Sequence, residues 1–488
     1  MSGSRHNILV ISDLHLGEDI RPEVDNSTHF EELGAELTAF LHHYATNRHD
    51  NTPWRLIVNG DMVDFLSVCL MPQDVEMVEG LGYDDHTYGL GTRPNAALLK
   101  MNAVLERHAD VFEAFAHFIG QGNELNIIVG NHDAEFVWEE VQEGFVEGIV
   151  QIWKNSNFSM HDGCRSPDAV REAINFHPWF YFEEDFVWVE HGHQYDRYCS
   201  VDHILDPRDS TDEQELEQNV GDAVMYYLAN HLPDSPEDQQ KRGFVQYMRM
   251  PFERSGRAVQ LLSGYGRMSW LLLSQWADRL ARPAAWESRR QRHLDLVRGL
   301  ATSASVDEDK LLALFQMRHR PIFLQLGQLV TALMLGRFFL TVGAALATPL
   351  ILLLVPWPTA PALVASMFLG VLIAHGFLAA GRLNADPRDA MAGAAARIRN
   401  TVSAPIVVMG HSHHPMAQRL RRGGWYFNTG TWVGGHDKLR NFTHLMIERG
   451  RDGAKAALCQ WRDGRSWELR AERAGRNYTA PWGLRAKG

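Results

Sequence analysis

Asp13, His15, Asp61, Asn131, His191, His411 and His413 are the residues whose types and settings could do chemistry together. They lie in Asp13-Leu14-His15, Gly60-Asp61, Gly130-Asn131-His132-Asp133, His191-Gly192-His193 and Gly410-His411-Ser412-His413, each closing a strand-like run. Carboxylate and amide oxygens mixed with imidazole nitrogens suit two divalent ions of the Mn, Fe, Zn, Co or Ni kind better than calcium. One such motif means little, because Gly-Asp and His-x-His arise by chance. Five at strand tips would have the rigidity that a two-metal site needs.

The runs that precede these motifs predict the scaffold. Ile8-Leu9-Val10-Ile11 and Trp54 to Asn59 read as strands delivering Asp13 and Asp61. Leu125 to Val129, Phe180 to Glu190 and Ala404 to Met409 do the same for Asn131, His191 and His411. Apolar residues at helical spacing predict helices over Phe30–Tyr44 and Asn95–Ile119, so strand, tip motif and helix alternate as in a layered α/β domain. Trp425 to Gly430, Phe442 to Glu448 and Ala456 to Trp461 read as closing strands. Residues 67–95 have no clean period and read as a loop insertion near the site.

The chain is long enough, at 488 residues, to bury a sizeable core. Its net charge of −13 argues against a broad nucleic-acid surface. Cys69, Cys164, Cys199 and Cys459 form no CxxC pair and read as thiols of a reducing compartment. No charged-then-apolar signal region opens the chain, so a cleaved secretion signal is not expected.

Between His193 and Gly410 lies the most apolar sequence of the protein. Residues 204–242 are acidic and polar, with a helical piece near Val220–Leu232. Arg257–Leu280 reads as an aromatic-faced helix, suited to cover the site, to lie among headgroups or simply to pack. Arg289–Arg320 reads as charged and helical. Phe338–Val355 and Ala360–Ala380 carry no charged residue, and Pro356-Trp357-Pro358 separates them as a hairpin turn would. Each run approaches the roughly 20 apolar residues needed to cross a bilayer. Pro321–Gly336 would lengthen the first span or lie in the interface. Arg318, Arg320, Arg337, Arg382, Arg388, Arg397 and Arg399 flank the hairpin on its outer ends, which predicts that both ends face the cytoplasm. The competing reading is a pair of buried helices in a soluble domain.

The five motifs together resemble the calcineurin-like metallophosphoesterase superfamily: Asp-x-His, Gly-Asp-x-x-Asp (here Gly60-Asp61-Met62-Val63-Asp64), Gly-Asn-His-Asp, a single His and Gly-His-x-His. The resemblance implies a four-layer α/β/β/α sandwich over roughly residues 5–200 and 400–465; the large helical insertion between them, with its expected transmembrane hairpin, it leaves unexplained. It implies that Asp13, His15, Asp61 and His413 hold one metal, and that Asp61 bridges to a second taken by Asn131, His191 and His411. A hydroxide shared by ions about 3.5–4 Å apart would attack phosphorus. His132 would protonate the leaving oxygen and Asp64 would orient it. Less is implied for the neighbours: His193 as ligand support, pocket wall or structural residue, Asp133 as helix cap or participant, His414 as exposed bystander, and Asn428-Thr429-Gly430 as the turn after the last ligand or a plain hairpin turn.

The expected organisation is a core at residues 1–200 and 400–470, a helical insertion or cap at 201–320, a transmembrane hairpin at 321–385 and a loose tail at 471–488. The layout is similar to UDP-diacylglucosamine pyrophosphatases, whereas His132 is like the general phosphatase and phosphodiesterase branch. The expectation is a membrane-anchored hydrolase, manganese-dependent and facing the cytoplasm, acting on a lipid-linked or nucleotide phosphoester, with a homodimer possible through the insertion. Its rivals are a tethered phosphoprotein phosphatase or cyclic nucleotide phosphodiesterase, and a membrane scaffold or sensor that only binds a ligand.

Overall fold

The computed structural model describes residues 6–21, 27–72, 78–157, 163–231, 258–380, 386–433, 440–450, 453–471 and 482–486. Its centre is β1 (Asn7–Ile11), a strand buried along its whole length. Side chains alternate across a strand. Ile8 and Val10 therefore enter one apolar cluster while Leu9 and Ile11 enter another.

Beside β1 run β2 (Trp54–Asn59), β3 (Glu124–Ile128) and β4 (Ile174–His177), all parallel. On its other side β10 (Thr443–Gly450), β11 (Gly453–Arg462), β12 (Arg465–Ala471) and β13 (Trp482–Ala486) follow as an antiparallel meander, completing an eight-stranded mixed sheet. A second, five-stranded mixed sheet has the order β5-β6-β7-β9-β8, with β5 (Phe180–Glu183), β6 (Val187–Glu190), β7 (Ile406–Met409), β8 (Met416–Arg419) and β9 (Trp425–Asn428). Strands β6, β7 and β9 run parallel.

The two sheets share one core. Ile8, Val10, Ile57 and Ile128 of the first pack with Val187, Val189, Val408 and Phe427 of the second. Outside the first sheet lie α1 (Ser27–Thr46), α2 (Pro94–Arg107), α3 (Ala109–Gly120) and α4 (Glu139–Asn155). Leu37, Phe40, Met101, Phe112, Phe115 and Phe145 bring their apolar faces onto Leu9, Ile11, Leu56 and Ile127. Outside the second sheet, Val297, Leu311, Leu314, Met391, Ala394 and Ile398 cover Trp188, Val407 and Tyr426. The layers are therefore helix, sheet, sheet, helix.

The last set of helices belongs to the stretch between His193 and Gly410: α7 (Pro283–Ser303), α8 (Glu308–Phe315) and α11 (Pro387–Val402). These segments form the second sheet's outer layer. Asp307 caps α8 by accepting from the Lys310 N–H at 3.0 Å, and Pro387 opens α11 at a position where its missing N–H costs nothing. The same stretch also builds a further helical cluster, the cap. Val220, Tyr226 and Tyr227 of α5 (Val220–Tyr227), Met268 and Leu272 of α6 (Ala258–Ala281), Trp286, Ile322, Phe323 and Leu329 pack together, with Tyr88 among them; it ends a short helix, Tyr83–Tyr88, inside the 67–95 stretch expected to be a loop, of which 73–77 lie outside the described residues.

Several further expectations are corrected. Phe180–Glu190 is a hairpin of two strands, turning where Asp185 takes φ 52°. Asn95–Ile119 breaks into α2 and α3 at His108 (φ −113°, ψ 38°), whose ring contacts Asp19 at 3.0 Å. Of Pro321–Gly336 only Leu335 and Gly336 join the first apolar helix; the rest does not, because Ile322, Phe323, Leu329 and Leu333 are buried in the cap. Of the expected loose tail, 482–486 is a strand paired with β12; most of its other residues lie outside the described set, as do 232–257 and Arg382.

Two helices, α9 (Leu335–Leu354) and α10 (Thr359–Ala380), are long and apolar enough to span a membrane. They pack side by side, but only 11 % of the most apolar stretch of α9 and 6 % of that of α10 is buried. The competing expectation of buried core helices fails on those figures. Leu346, Leu353, Leu354, Leu369 and Leu372 are all more than half exposed.

Candidate metal centre

All seven expected ligands converge where parallel strands of both sheets end. Asp13 and His15 follow β1, Asp61 follows β2, Asn131 follows β3, His191 follows β6, and His411 and His413 follow β7. Such carboxyl-end crevices are where open α/β sheets bind ligands. The ligand atoms of Asp13, His15 and His413 lie within 4.8 Å of one another, as do those of Asp61, His191 and His411. Asp61 Oδ2 is 3.1 Å from His191 Nε2 and 3.8 Å from His15 Nε2, placing this carboxylate between the two groups. Asn131 Oδ1 lies 3.2 Å from His191 Nε2, so the amide joins the second group. His413 Nε2 lies 3.2 Å from Asp13 Oδ1 and 3.3 Å from His15 Nε2.

Backbone geometry sets these residues apart. Asp13, His15, Asp61, His411 and His413 all have φ between 48° and 61°. Non-glycine residues rarely adopt that left-handed region, and strain of this kind persists where the surrounding structure enforces it, commonly at functional sites. The motif glycines serve close approach. A Cβ on Gly60, itself at φ 80°, would stand 2.2 Å from His191 Nδ1, and one on Gly130 would stand 2.2 Å from Asp61 Oδ1.

Partners around the ligands fix their aim. His191 Nδ1 meets the Asn59 carbonyl at 2.8 Å, leaving Nε2 for the site. Asp64 contacts two imidazoles, His132 Nδ1 at 3.0 Å and His15 Nδ1 at 3.3 Å, while Ser67 Oγ donates to it at 2.8 Å. The Asn428 amide donates to Gly410 O at 2.6 Å, and Ser12 Oγ pairs with Thr429 Oγ1 at 2.6 Å. Asn428-Thr429-Gly430 therefore ties the strand tips of both sheets together, which a plain hairpin turn would not do.

Electrostatics favour cations. Burial opposes ionisation of Asp61 and Asp64, but the neighbouring histidines outweigh it and hold both carboxyls low. Burial likewise opposes charge on His191 and His132, yet Asp61 raises the first to about 9, and Asp64 with Asp61 raises the second to about 10. A buried cluster of carboxylates that drives imidazoles to hold protons is a place that draws positive charge. With oxygen and imidazole donors turned to two common points, the residues fit a pair of borderline divalent ions.

No family model matches the chain, and no curated protein matches it.

The remaining motif residues separate clearly. Asp133 neither caps the following turn nor reaches the ligand groups; its carboxylate accepts from Met62 N at 2.7 Å and Gly130 N at 2.5 Å, stitching the β2 and β3 tips together. His193 is a buried wall residue whose imidazole is held neutral, well below its usual range, by burial and by His191 and His411. His414 is half-buried against Arg440 at 2.6 Å, not an exposed bystander. Sequence reasoning missed Asp196, 3.3 Å from His411 Nε2, and Glu190, which accepts from Trp179, Gln194 and Tyr195 at 2.9 to 3.1 Å. Glu190 could have been flagged as a carboxylate in an apolar strand immediately before a ligand; nothing local marks Asp196.

Proposed function

We propose that the chain is a membrane-anchored, dinuclear metal-dependent phosphoesterase of the calcineurin-like metallophosphoesterase kind, with that superfamily's α/β/β/α sandwich and its site on the cytoplasmic face. The observation that carries this reading is Asp61 standing between the Asp13–His15–His413 and Asp61–His191–His411 groups. The first group with Asp61 would hold one ion, and Asp61 with Asn131, His191 and His411 the other. Bound there, two divalent ions supply charge neutralisation of phosphoryl oxygens and an activated water.

The chain's own residues account for the rest. His132 keeps Nδ1 on Asp64 at 3.0 Å, so Nε2 is the atom left to donate a proton to the leaving oxygen. Asp64 fixes that tautomer and also steadies His15. The left-handed backbone at five ligands fixes their directions before substrate arrives, so little reorganisation is left for the reaction. The exposed apolar pair α9 and α10 would anchor this site beside a bilayer, where a lipid-linked or nucleotide phosphoester is the substrate best supported by location.

The test is hydrolysis of an aryl phosphodiester and an aryl monoester by detergent-purified protein with Mn²⁺, beside Asp61→Ala. Metal-dependent turnover that vanishes in the folded variant supports the reading. Turnover that persists without Asp61, or none with any of Mn, Fe, Zn, Co or Ni, rejects it.

A further inference from the structure

His411 is met from behind by a carboxylate outside the ligand set. Asp196 Oδ2 lies 3.3 Å from His411 Nε2, and the two side chains are 18 % and 8 % exposed. Asp196 is fixed in the turn that follows His191. Its N–H donates to His193 O and its carbonyl accepts from Ser200 N, both at 2.9 Å, while its Oδ1 accepts from Tyr198 N at 2.9 Å. That turn is held in its own right by the segment entering the cap: His319 N donates to Gln194 O at 2.9 Å, and Ser200 Oγ donates to His319 O at 2.6 Å. One carboxylate oxygen thus anchors the turn and the other is delivered to the imidazole. Two further ligands have the nitrogen away from the site engaged in the same way, His191 Nδ1 by the Asn59 carbonyl at 2.8 Å and His15 Nδ1 by Asp64 at 3.3 Å.

We propose that Asp196 is the positioning residue of the second ion: it accepts from the His411 Nε2–H, so that the Nδ1 lone pair is the one offered beside Asp61, Asn131 and His191. The assignment rests on the two-ion reading above and adds the group that chooses the nitrogen. A neutral imidazole carries one proton on either of two nitrogens. An ionised carboxylate can only accept, so it stabilises the tautomer with that proton on Nε2. Its charge also makes the imidazole a stronger donor to a cation. Without Asp196, His411 would divide its time between the two tautomers, and the one protonated at Nδ1 has no lone pair there for an ion. A rival occupant of the same place is a third ion, since ligand atoms of Asp196, Cys199 and His411 lie within 4.8 Å of one another. Such an ion would take the Nε2 lone pair that the proton uses. The main-chain carbonyl behind His191 does the same task for its ring with a proton alone, which favours the proton here.

Titration of the full chain in detergent with Mn²⁺, followed by electron paramagnetic resonance, reads the two ions separately, because a spin-coupled pair replaces the isolated ion as the second site fills. Asp196→Asn keeps the side chain's shape and the oxygen that holds Tyr198, but it turns an amide N–H towards Nε2 and so drives the imidazole proton to Nδ1. It should weaken the second ion about 10- to 100-fold, with the first ion and the melting temperature of the metal-free protein as in wild type. Asp196→Ala, which removes the acceptor, should also weaken the second ion, and it decides the matter if the asparagine variant does not fold. A role confined to the turn predicts a harmless asparagine and a damaging alanine. That pattern, a second ion bound as tightly in a folded variant as in wild type, or a wild type that forms no coupled pair overturns the assignment. So does a thiolate charge-transfer band in the Co²⁺-loaded protein that is lost in Cys199→Ser, since it would put an ion where the proton is proposed. Aryl phosphodiester hydrolysis is followed in parallel. Hydrolysis with a second ion indifferent to Asp196 rejects the positioning role alone. A coupled pair that Asp196→Asn weakens, in a protein that hydrolyses neither ester, rejects the phosphoesterase reading and leaves the role of Asp196 standing.

Discussion

Asp64 Oδ1 stands 3.0 Å from His132 Nδ1, and the same carboxylate reaches His15 Nδ1 through its other oxygen at 3.3 Å. One buried side chain thus orients both the proposed acid and a proposed metal ligand, and Ser67 holds it through its backbone N–H and its hydroxyl. An amide in its place accepts through one atom only. Asp64→Asn is expected to lower kcat about 10- to 100-fold, with KM little changed and bound metal reduced. Steady-state kinetics with metal analysis check this; a raised KM at unchanged kcat would show that Asp64 serves ground-state binding instead.

If His132 gives a proton to the leaving oxygen, as proposed, its importance must scale with how badly that oxygen needs one. A nitrophenolate leaves unaided, whereas an alkoxide does not. His132→Ala should therefore cost about 10²–10⁴-fold on an alkyl phosphodiester and clearly less on its nitrophenyl counterpart. Equal losses on both substrates would assign His132 to binding phosphate and not to proton transfer.

The site was far more legible in the sequence than the scaffold around it. Asp61, Asn131, His191 and His411 each adjoin a glycine, Asp13 closes an apolar run, and His15 and His413 stand two residues after Asp13 and His411, so these local marks survive without knowledge of the fold. Asp133 and Asp196 work on residues distant in the chain, Met62 and His411, so no local spacing could announce their roles. Among the strands, β1 was legible because all five residues are buried. Strand β4 was not, being four residues long with three of them partly or fully exposed at a sheet edge. The β5–β6 turn passed unnoticed because it uses Asp185 in a left-handed conformation where glycine or asparagine would have signalled it. Two outer helices of the second sheet, α7 and α8, were legible as helical within 289–320, but their place was not, because the apolar face of that charged segment is decided by packing on Trp188 and Val407.

Gly60 combines φ 80° with a Cβ position 2.2 Å from His191 Nδ1. A methyl group there must displace a ligand ring or the β2 tip. Gly60→Ala is expected to lower stability by about 2–4 kcal/mol and to reduce metal binding further than its melting temperature alone would suggest. Denaturant unfolding with and without Mn²⁺ measures both. A variant with wild-type stability and metal content would contradict the close packing of these tips.

His293 offers a pH test away from the metal centre. It is 1 % exposed, its Nε2 accepts from Leu205 N at 3.2 Å, and the groups acting on it are His203, Arg318, Asp202 and Asp206. Burial, with His203 and Arg318, lowers it to about 3 from an ordinary 6.5. The unfolded chain therefore takes up this proton before the folded one does. Its contribution to stability is complete above about pH 6.5, is lost as pH falls towards 3, and is flat below that, with a slope of at most about 1.4 kcal/mol per pH unit for one proton. His293→Gln, which keeps an acceptor for Leu205, should flatten the fall in unfolding free energy between pH 6.5 and 4.5 relative to wild type. Parallel curves for the two proteins would show that His293 is not held neutral.

Two distances constrain how α9 and α10 relate to a membrane. His413, which follows them in the chain, lies 3.2 Å from Asp13 and 3.3 Å from His15, which precede them. If the pair crosses a bilayer, it must return to the side it left. Tags at the two ends of the chain should therefore both be digested by protease from one face, the cytoplasmic one in the proposed orientation, and both be protected from the other. The crossing itself depends on apolar surface such as Leu346 and Leu369, 66 % and 58 % exposed. Lysine near the middle of a span costs about 2.5–3.5 kcal/mol, so Leu346→Lys with Leu369→Lys should move the protein out of the alkali-resistant membrane fraction that retains the wild type. Tags on opposite faces, or a wild type released by alkali, would exclude the hairpin as a membrane anchor and leave its exposed leucines to be covered by protein.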